Sequence, residues 1–398
     1  MMIREIVNVV KRERQWILRE KQYIVLVLVG CIIFALCLYL MYAPKKVLSL
    51  PVVFVDQDHS QLSREMIRAF LANESFKSAG YINSPNEFPE LVAEDRAHVC
   101  IVFPYGMERD LKAGRGGRVE VMVDQSNFLA GSVELASATA VLTPFSVVAD
   151  ARIIEAVDGV KQEQALRRAM PIDVGTRMLF NPGFTSNYLN YIPVGVAGVG
   201  MQLCALLIGI RSGASEYHQR AFQPLSAVQA SPFTFTAGKI VSYLLPLLPV
   251  FLITLLIPHV LFGAPFVRTG LSFWVILVWY PAAMIAFGYG LSALTGDPLI
   301  STEVCALLTL PNFLVTGYTW PMFASPKAML LFTYVMPLYP FVFAMKKITI
   351  WGGTLADCAN QIWCLVGWSL IALLFAWLGT RRIFKERPEG SEVPWLGH

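Results

Sequence analysis

The chain has 398 residues, of which 55% are hydrophobic and 15% charged, with a formal net charge of +4. Soluble domains carry about 25% charged residues, so composition excludes a protein that is soluble along its whole length. Charge is also unevenly placed. Residues 43–187 hold 15 Lys/Arg and 18 Asp/Glu, a net of −3, and the remainder holds 17 and 10, a net of +7; neither balance argues for nucleic-acid binding.

In chain order, residues 1–22 set Ile3, Ile6, Val7, Val10 and Ile17 roughly at helical spacing against Arg4, Lys11, Arg12, Arg14, Arg19 and Lys21. That pattern predicts an amphipathic basic helix lying in the headgroup region on the cytoplasmic side. Residues 23–42 form the first apolar run, long enough to cross about 30 Å of hydrocarbon. The run exceeds a signal-peptide core of about 7–15 residues, so it reads as an uncleaved span. Six basic residues precede it, which places the N-terminus in the cytoplasm and residues 43–187 outside.

That external segment alternates strand and helix signals. Pro51–Asp56, Ala97–Phe103 and Arg118–Asp124 read as strands, with Ser60 as the N-cap of a helix through Leu71 and another helix started by Pro104. A long helical pattern runs from Phe128 to about Met170. The expectation is an α/β domain with a long return helix. It holds one cysteine, Cys100, too few for an internal disulfide.

Residues 188–380 supply the other five spans, at 188–210, 240–262, 271–294, 299–317 and 361–379. The predicted fold is an α-helical integral membrane protein with six transmembrane helices and an inserted α/β domain between the first two. The cytoplasmic tail is 381–398. Between the last two spans, residues 318–357 are apolar but broken by Pro321, Pro326, Pro337 and Pro340, which predicts short outer re-entrant helices.

Few residues suggest chemistry. There is no GxxxxGK[ST] loop, HExxH, GxSxG or Cys/His cluster, so no catalytic residue and no metal site is assigned. Glu303 is the one acid inside a span, and intramembrane acids are costly and often functional. Ala282, Ala286 and Gly290 recur every four residues, a spacing that lets helices approach closely within one chain or between chains.

The loop at 211–239 is the most informative stretch. It runs from Arg211 through Glu216, Arg220 and Phe222 to Pro232, Gly238 and Lys239. This resembles the ABC-2 type ABC exporter permeases, in which a charged stretch, a short coupling helix and a Gly-Lys pair follow the second span. Arg220-Ala221 and Gln223 depart from the family's usual Gly-Thr and Glu. Gly317, Pro321, Pro337 and Tyr339 lie in a segment similar to the family's re-entrant helices, with Met336 in place of the usual Asn. Residues 51–68 are similar to the start of the external domain in the subset that has one.

The resemblance implies a permease in a bacterial inner membrane with both termini cytoplasmic. It implies as partners two copies of a separate ABC ATPase, which binds ATP and Mg, and a second permease copy or paralogue. Glu216, Arg220, Phe222, Pro232, Gly238 and Lys239 become the expected ATPase-coupling residues. Aromatic-rich spans favour an amphipathic or lipophilic cargo surrounded by membrane lipid. The external domain either gates the exit or docks a periplasmic adaptor. A non-transporting membrane sensor or scaffold is the alternative function.

Overall fold

The computed structural model describes residues 2–19, 29–41, 48–113, 116–126, 128–169, 188–218, 230–262, 270–316 and 322–386. The chain divides into two compact units, Met1–Ala43 with Leu179–His398, and Pro44–Met178. Helices α1 (Met2–Arg19) and α2 (Cys31–Met41) open the first unit.

The second unit is a mixed sheet with helices on both faces. Its elements are β1 (Leu50–Asp56), α3 (Gln61–Ala72), β2 (Phe76–Tyr81), α4 (Phe88–Ala93), β3 (Val99–Phe103), α5 (Met107–Lys112), β4 (Glu120–Val123), α6 (Phe128–Asp158) and α7 (Gln162–Ala169). Strand order is β2-β1-β3-β4, with β1 parallel to both neighbours and β4 antiparallel to β3. Central strands covered on both faces need continuous apolar runs, and β1 and β3 supply them. Val52, Phe54, Val99 and Ile101 join Met66, Ile67 and Phe70 of α3 and Ala138 and Val141 of α6 on one face. Val53, Val55, Cys100 and Val102 join Phe88 of α4 on the other.

The turn after β1 shows why residues 51–68 carry a recognisable pattern. Asp56 accepts the His59 amide at 2.9 Å and the Ser63 hydroxyl at 2.9 Å. Ser60 accepts the Ser63 amide as the N-cap of α3, and Asp58 accepts the Glu108 amide from the neighbouring α5. Asp56, Asp58 and Ser60 thus each receive a backbone amide of a turn or helix start, so the motif is turn and cap chemistry.

Two expectations change in this unit. Strand β2 is absent from the sequence reading, because only Phe76 of its residues is fully buried and no alternation marks it. The long helix expected to reach about Met170 ends at Asp158, where Gly159 takes a positive φ of 64°, and α7 follows as a separate helix.

The first unit continues with α8 (Tyr188–His218), α9 (Pro232–Phe262), α10 (Leu271–Thr295), α11 (Pro298–Val315), α12 (Lys327–Val335), α13 (Leu338–Thr349) and α14 (Ala359–Glu386). Within them, Val194–Glu216, Pro232–Leu261, Leu271–Thr295 and Ala356–Lys385 are long and apolar enough to cross a membrane, matching expected spans two, three, four and six. Expected spans one and five are represented among the described residues by shorter apolar helices, Cys31–Met41 and Pro298–Leu307. Ala130–Glu155 of α6 also meets the length and composition requirement, although it covers a face of the sheet. Helices α12 and α13 meet at an 88° bend, where Pro337 follows Met336 and a straight helix cannot continue. The turn between α10 and α11 has Gly296 at φ 72° and Asp297 capping α11 through the Leu299 amide.

Candidate functional site

The strongest polar feature of the first unit is a buried charge cluster joining α1, the end of α8 and the start of α9. It begins with a close helix approach: a Cβ on Gly238 would lie 2.6 Å from the Val9 Cβ, so α1 and α9 touch nearly backbone to backbone. That contact carries Arg12 and Glu13 of α1 inward, beside Lys239 and Tyr243 of α9 and Glu216 of α8. Arg12, Glu13, Glu216 and Lys239 are 7%, 0%, 0% and 1% exposed.

Arg12 reaches both oxygens of Glu216, at 3.3 Å each, and Glu13 at 3.2 Å. Lys239 Nζ lies 2.8 Å from Glu216 Oε1 and 3.3 Å from Glu13 Oε2. It also donates to the Ser212 carbonyl and hydroxyl. The Tyr243 hydroxyl donates to Glu13 at 2.6 Å. Phe235 presents its ring to both cations, at 5.5 Å from Arg12 and 5.4 Å from Lys239. Two cations and two anions therefore share one site, and hydrogen bonds repeatedly satisfy the same groups. A buried pair offsets its desolvation cost only with such geometry. Nearby, Glu5 of α1 accepts the Thr234 hydroxyl at 2.8 Å and the Ser231 amide at the start of α9, so α1 also caps α9.

The arrangement is a clamp of mutually paired charges. It fixes the register of three helices at the two ends of loop 211–239. Glu216 and Lys239, two of the expected ATPase-coupling residues, have their side chains buried in this cluster, and Gly238 packs against Val9. Pro232 begins α9. Arg220 and Phe222 lie outside the described residues. Along α1, Arg12, Glu13 and Ile17 are buried, while Arg4, Lys11 and Arg14 and the apolar Ile3 and Val7 are exposed.

The remaining expected residues fall elsewhere. Gly290 packs within the chain, since a Cβ there would lie 2.3 Å from the Ala376 backbone of α14. Ala286 is buried and Ala282 packs against the same core. Tyr339 is buried on α13 against Tyr334 and Phe343 and meets Gln361, and Pro337 forms the bend. Gly317 and Pro321 lie outside the described residues. Glu303 sits exposed on α11, on the same stretch as the exposed Leu299, Ile300, Val304 and Leu307.

Sequence reasoning passed over a second buried polar group. Tyr280 of α10 donates to Gln202 of α8 at 2.8 Å, and Gln202 donates to Thr309 of α11 at 3.3 Å. Each is a polar residue in a predominantly apolar span, and hydropathy averages it away. Trp279 and Ser369 tie α10 to α14 in the same manner.

With this geometry in view, comparison with known proteins is decisive on the class. Residues 21–378 match the model of the ABC-2 family transporter proteins, and the chain belongs to that family. It is therefore a multi-pass permease subunit of an ABC transporter, from a family without a nucleotide-binding domain of its own. The chain is similar to the probable multidrug ABC transporter permease YbhR of Escherichia coli K12. Identity is 20% over 361 residues, covering 90% of this chain and 93% of that protein, and the O157:H7 counterpart matches equally.

Proposed function

We propose that the chain is the membrane subunit of an exporter that moves an amphipathic or lipophilic compound outward, driven by two copies of a separate ATPase that binds ATP and Mg. The carrying observation is the charge cluster. It locks α1, α8 and α9 together at both ends of the loop that, in this family, meets the ATPase. Movement imposed on residues 217–231 then reaches three helices as one body, which is how a ligand that binds two states differently turns affinity into displacement. Arg220 and Phe222 are the side chains we assign to the ATPase surface. Glu216 and Lys239 act behind them as positioning residues.

The basic residues of 1–22 and 381–398 favour a cytoplasmic side for both termini in a bacterial inner membrane. The same rule puts Pro44–Met178, including α6, outside. In this reading α6 is a sheet-covering helix, which suits its buried Ala138 and Val141. There the domain either gates the exit or receives a periplasmic adaptor. The bent α12–α13 pair fits an outer re-entrant segment, whose non-helical break needs shelter by protein. The name of the E. coli relative supports a drug-like cargo.

The test is reconstitution with the cognate ATPase in proteoliposomes. Arg220→Ala and Phe222→Ala are expected to leave the fold intact and to cut cargo-stimulated ATP hydrolysis by about tenfold, within the usual range of coupling factors. Unchanged stimulation in both would remove these side chains from the coupling surface. Absence of any ATP-dependent movement of amphipathic dyes by the wild-type complex would favour the sensor or scaffold reading.

A second permease copy is assigned to the uncovered face of α11. A carboxylate facing lipid is costly, and Glu303 lies among the apolar residues of that face. Cysteine placed at Leu307 is expected to cross-link between copies in membranes, read as a dimer band on a non-reducing gel. A monomer band alone would move the interface elsewhere.

A further inference from the structure

The second unit contains a buried acid that the transport reading does not use. Glu134 lies on α6 near its start and is 1% exposed, and its Oε2 meets no hydrogen-bond donor among the described residues. Its neighbours are the groups at one end of the sheet. His98 precedes β3 and bridges two acids, with Nδ1 3.3 Å from Asp124 and Nε2 3.1 Å from Asp95. Asp124 follows β4, where its carboxylate accepts the Ser126 amide at 2.9 Å and the Ser126 hydroxyl at 3.0 Å. The approach of α6 to this end is close: a Cβ on Gly131 would lie 3.0 Å from the Asp124 carbonyl.

Other charges are turned away. Arg64, Glu65 and Arg68 of α3 are exposed, and Glu120 alternates onto the opposite face from Val121 and Val123, beside Met122. Arg167 of α7 pairs with Glu163, and Arg168 with Asp158 at the far end of α6.

We propose that Glu134 is a proton-binding site that fastens the start of α6 to the end of the sheet. Protonated, it is a neutral side chain fit for its buried seat. Ionised, it is a carboxylate out of water and beside a second one. The two acids are pushed apart by their surroundings, the pattern that separates acid from base in paired carboxyls. The Ser126 amide, chiefly, holds Asp124 below the usual carboxylate range, so that charge is constant. Burial pushes Glu134 up from 4.5 to about 7, with His98 acting against the rise and Asp124 adding to it. The sign follows from a raised folded-state value. The stabilising contribution is complete below about 4.5, declines as pH rises, and is lost once pH passes about 7. Acidity in the surrounding compartment thus tightens the root of α6 and alkalinity loosens it. The external placement of the domain decides only which compartment supplies the proton.

Hydrogen exchange of the full-length protein in nanodiscs tests this, at pH about 5.5 and about 8, after correction for intrinsic exchange rates. Amides of residues 130–140 are expected to lose protection by about tenfold at the higher pH, with a midpoint near neutrality. Glu134→Gln is expected to keep them protected at both values. A wild-type protein whose protection there is independent of pH overturns the proposal, whether or not the variant folds. So does a folded Glu134→Gln protein that retains the full pH effect.

Discussion

Lys239→Met is expected to cost about 3–5 kcal/mol, the range for removing one partner from a buried ion pair. The reason lies in what remains. Glu13 and Glu216 are fully buried, and Lys239 is the cation within reach of both Glu13 Oε2 and Glu216 Oε1. Arg12 still holds Glu216 through two contacts, and Glu13 loses its ammonium partner while Arg12 and Tyr243 stay in place. The surplus carboxylate should drive α1 off α9. The measurement is thermal unfolding in detergent together with limited proteolysis of residues 2–19. A variant of wild-type stability with α1 still protected would show that the cluster is not the fastening. Lys239→Arg keeps the charge but brings a planar fork to a seat shaped for an ammonium, and is expected to fall between the two.

Gly288→Leu is expected to abolish the folded helix bundle, a loss of about 3 kcal/mol or more, at or beyond the upper range for overpacking. At the α8–α10 crossing a Cβ on Gly288 would lie 2.4 Å from the Leu206 carbonyl, and one on Gly209 2.4 Å from the Ile285 carbonyl. Both obstacles are backbone and cannot swing aside. Gly367→Ala provides the control, because a Cβ there meets nothing within 4 Å. The readout is the monodisperse fraction after detergent extraction. Equal fractions for the two variants would mean that the crossing tolerates a wider spacing.

Which features the sequence reveals follows from the range of the interactions involved. Strands β1 and β3 announce themselves because burial on both faces demands unbroken apolar runs. The Ser60 cap is legible because its partner, the Ser63 amide, lies within a few residues. Edge strand β2 is hidden, since one face and one edge of Phe76–Tyr81 impose almost no pattern. In the site, a family likeness marks Lys239 and Glu216, but not their buried partners. Lys239 bonds to Glu13 across 226 positions, and nothing local marks an acid in a basic amphipathic helix as the buried partner. Gln202, Tyr280 and Thr309 are hidden for the same reason, since their partners lie 78 and 107 positions apart.

That separation has a consequence in time. Chains emerge from the ribosome at about 5–20 residues per second, so Glu13 waits roughly 11–45 seconds for Lys239 to be made. During that interval Arg12 and Glu13 wait without Glu216 and Lys239. The clamp therefore closes late in biogenesis, after the sheet unit has been synthesised, and a nascent chain arrested before α9 carries an undocked N-terminal helix that quality-control proteases can reach.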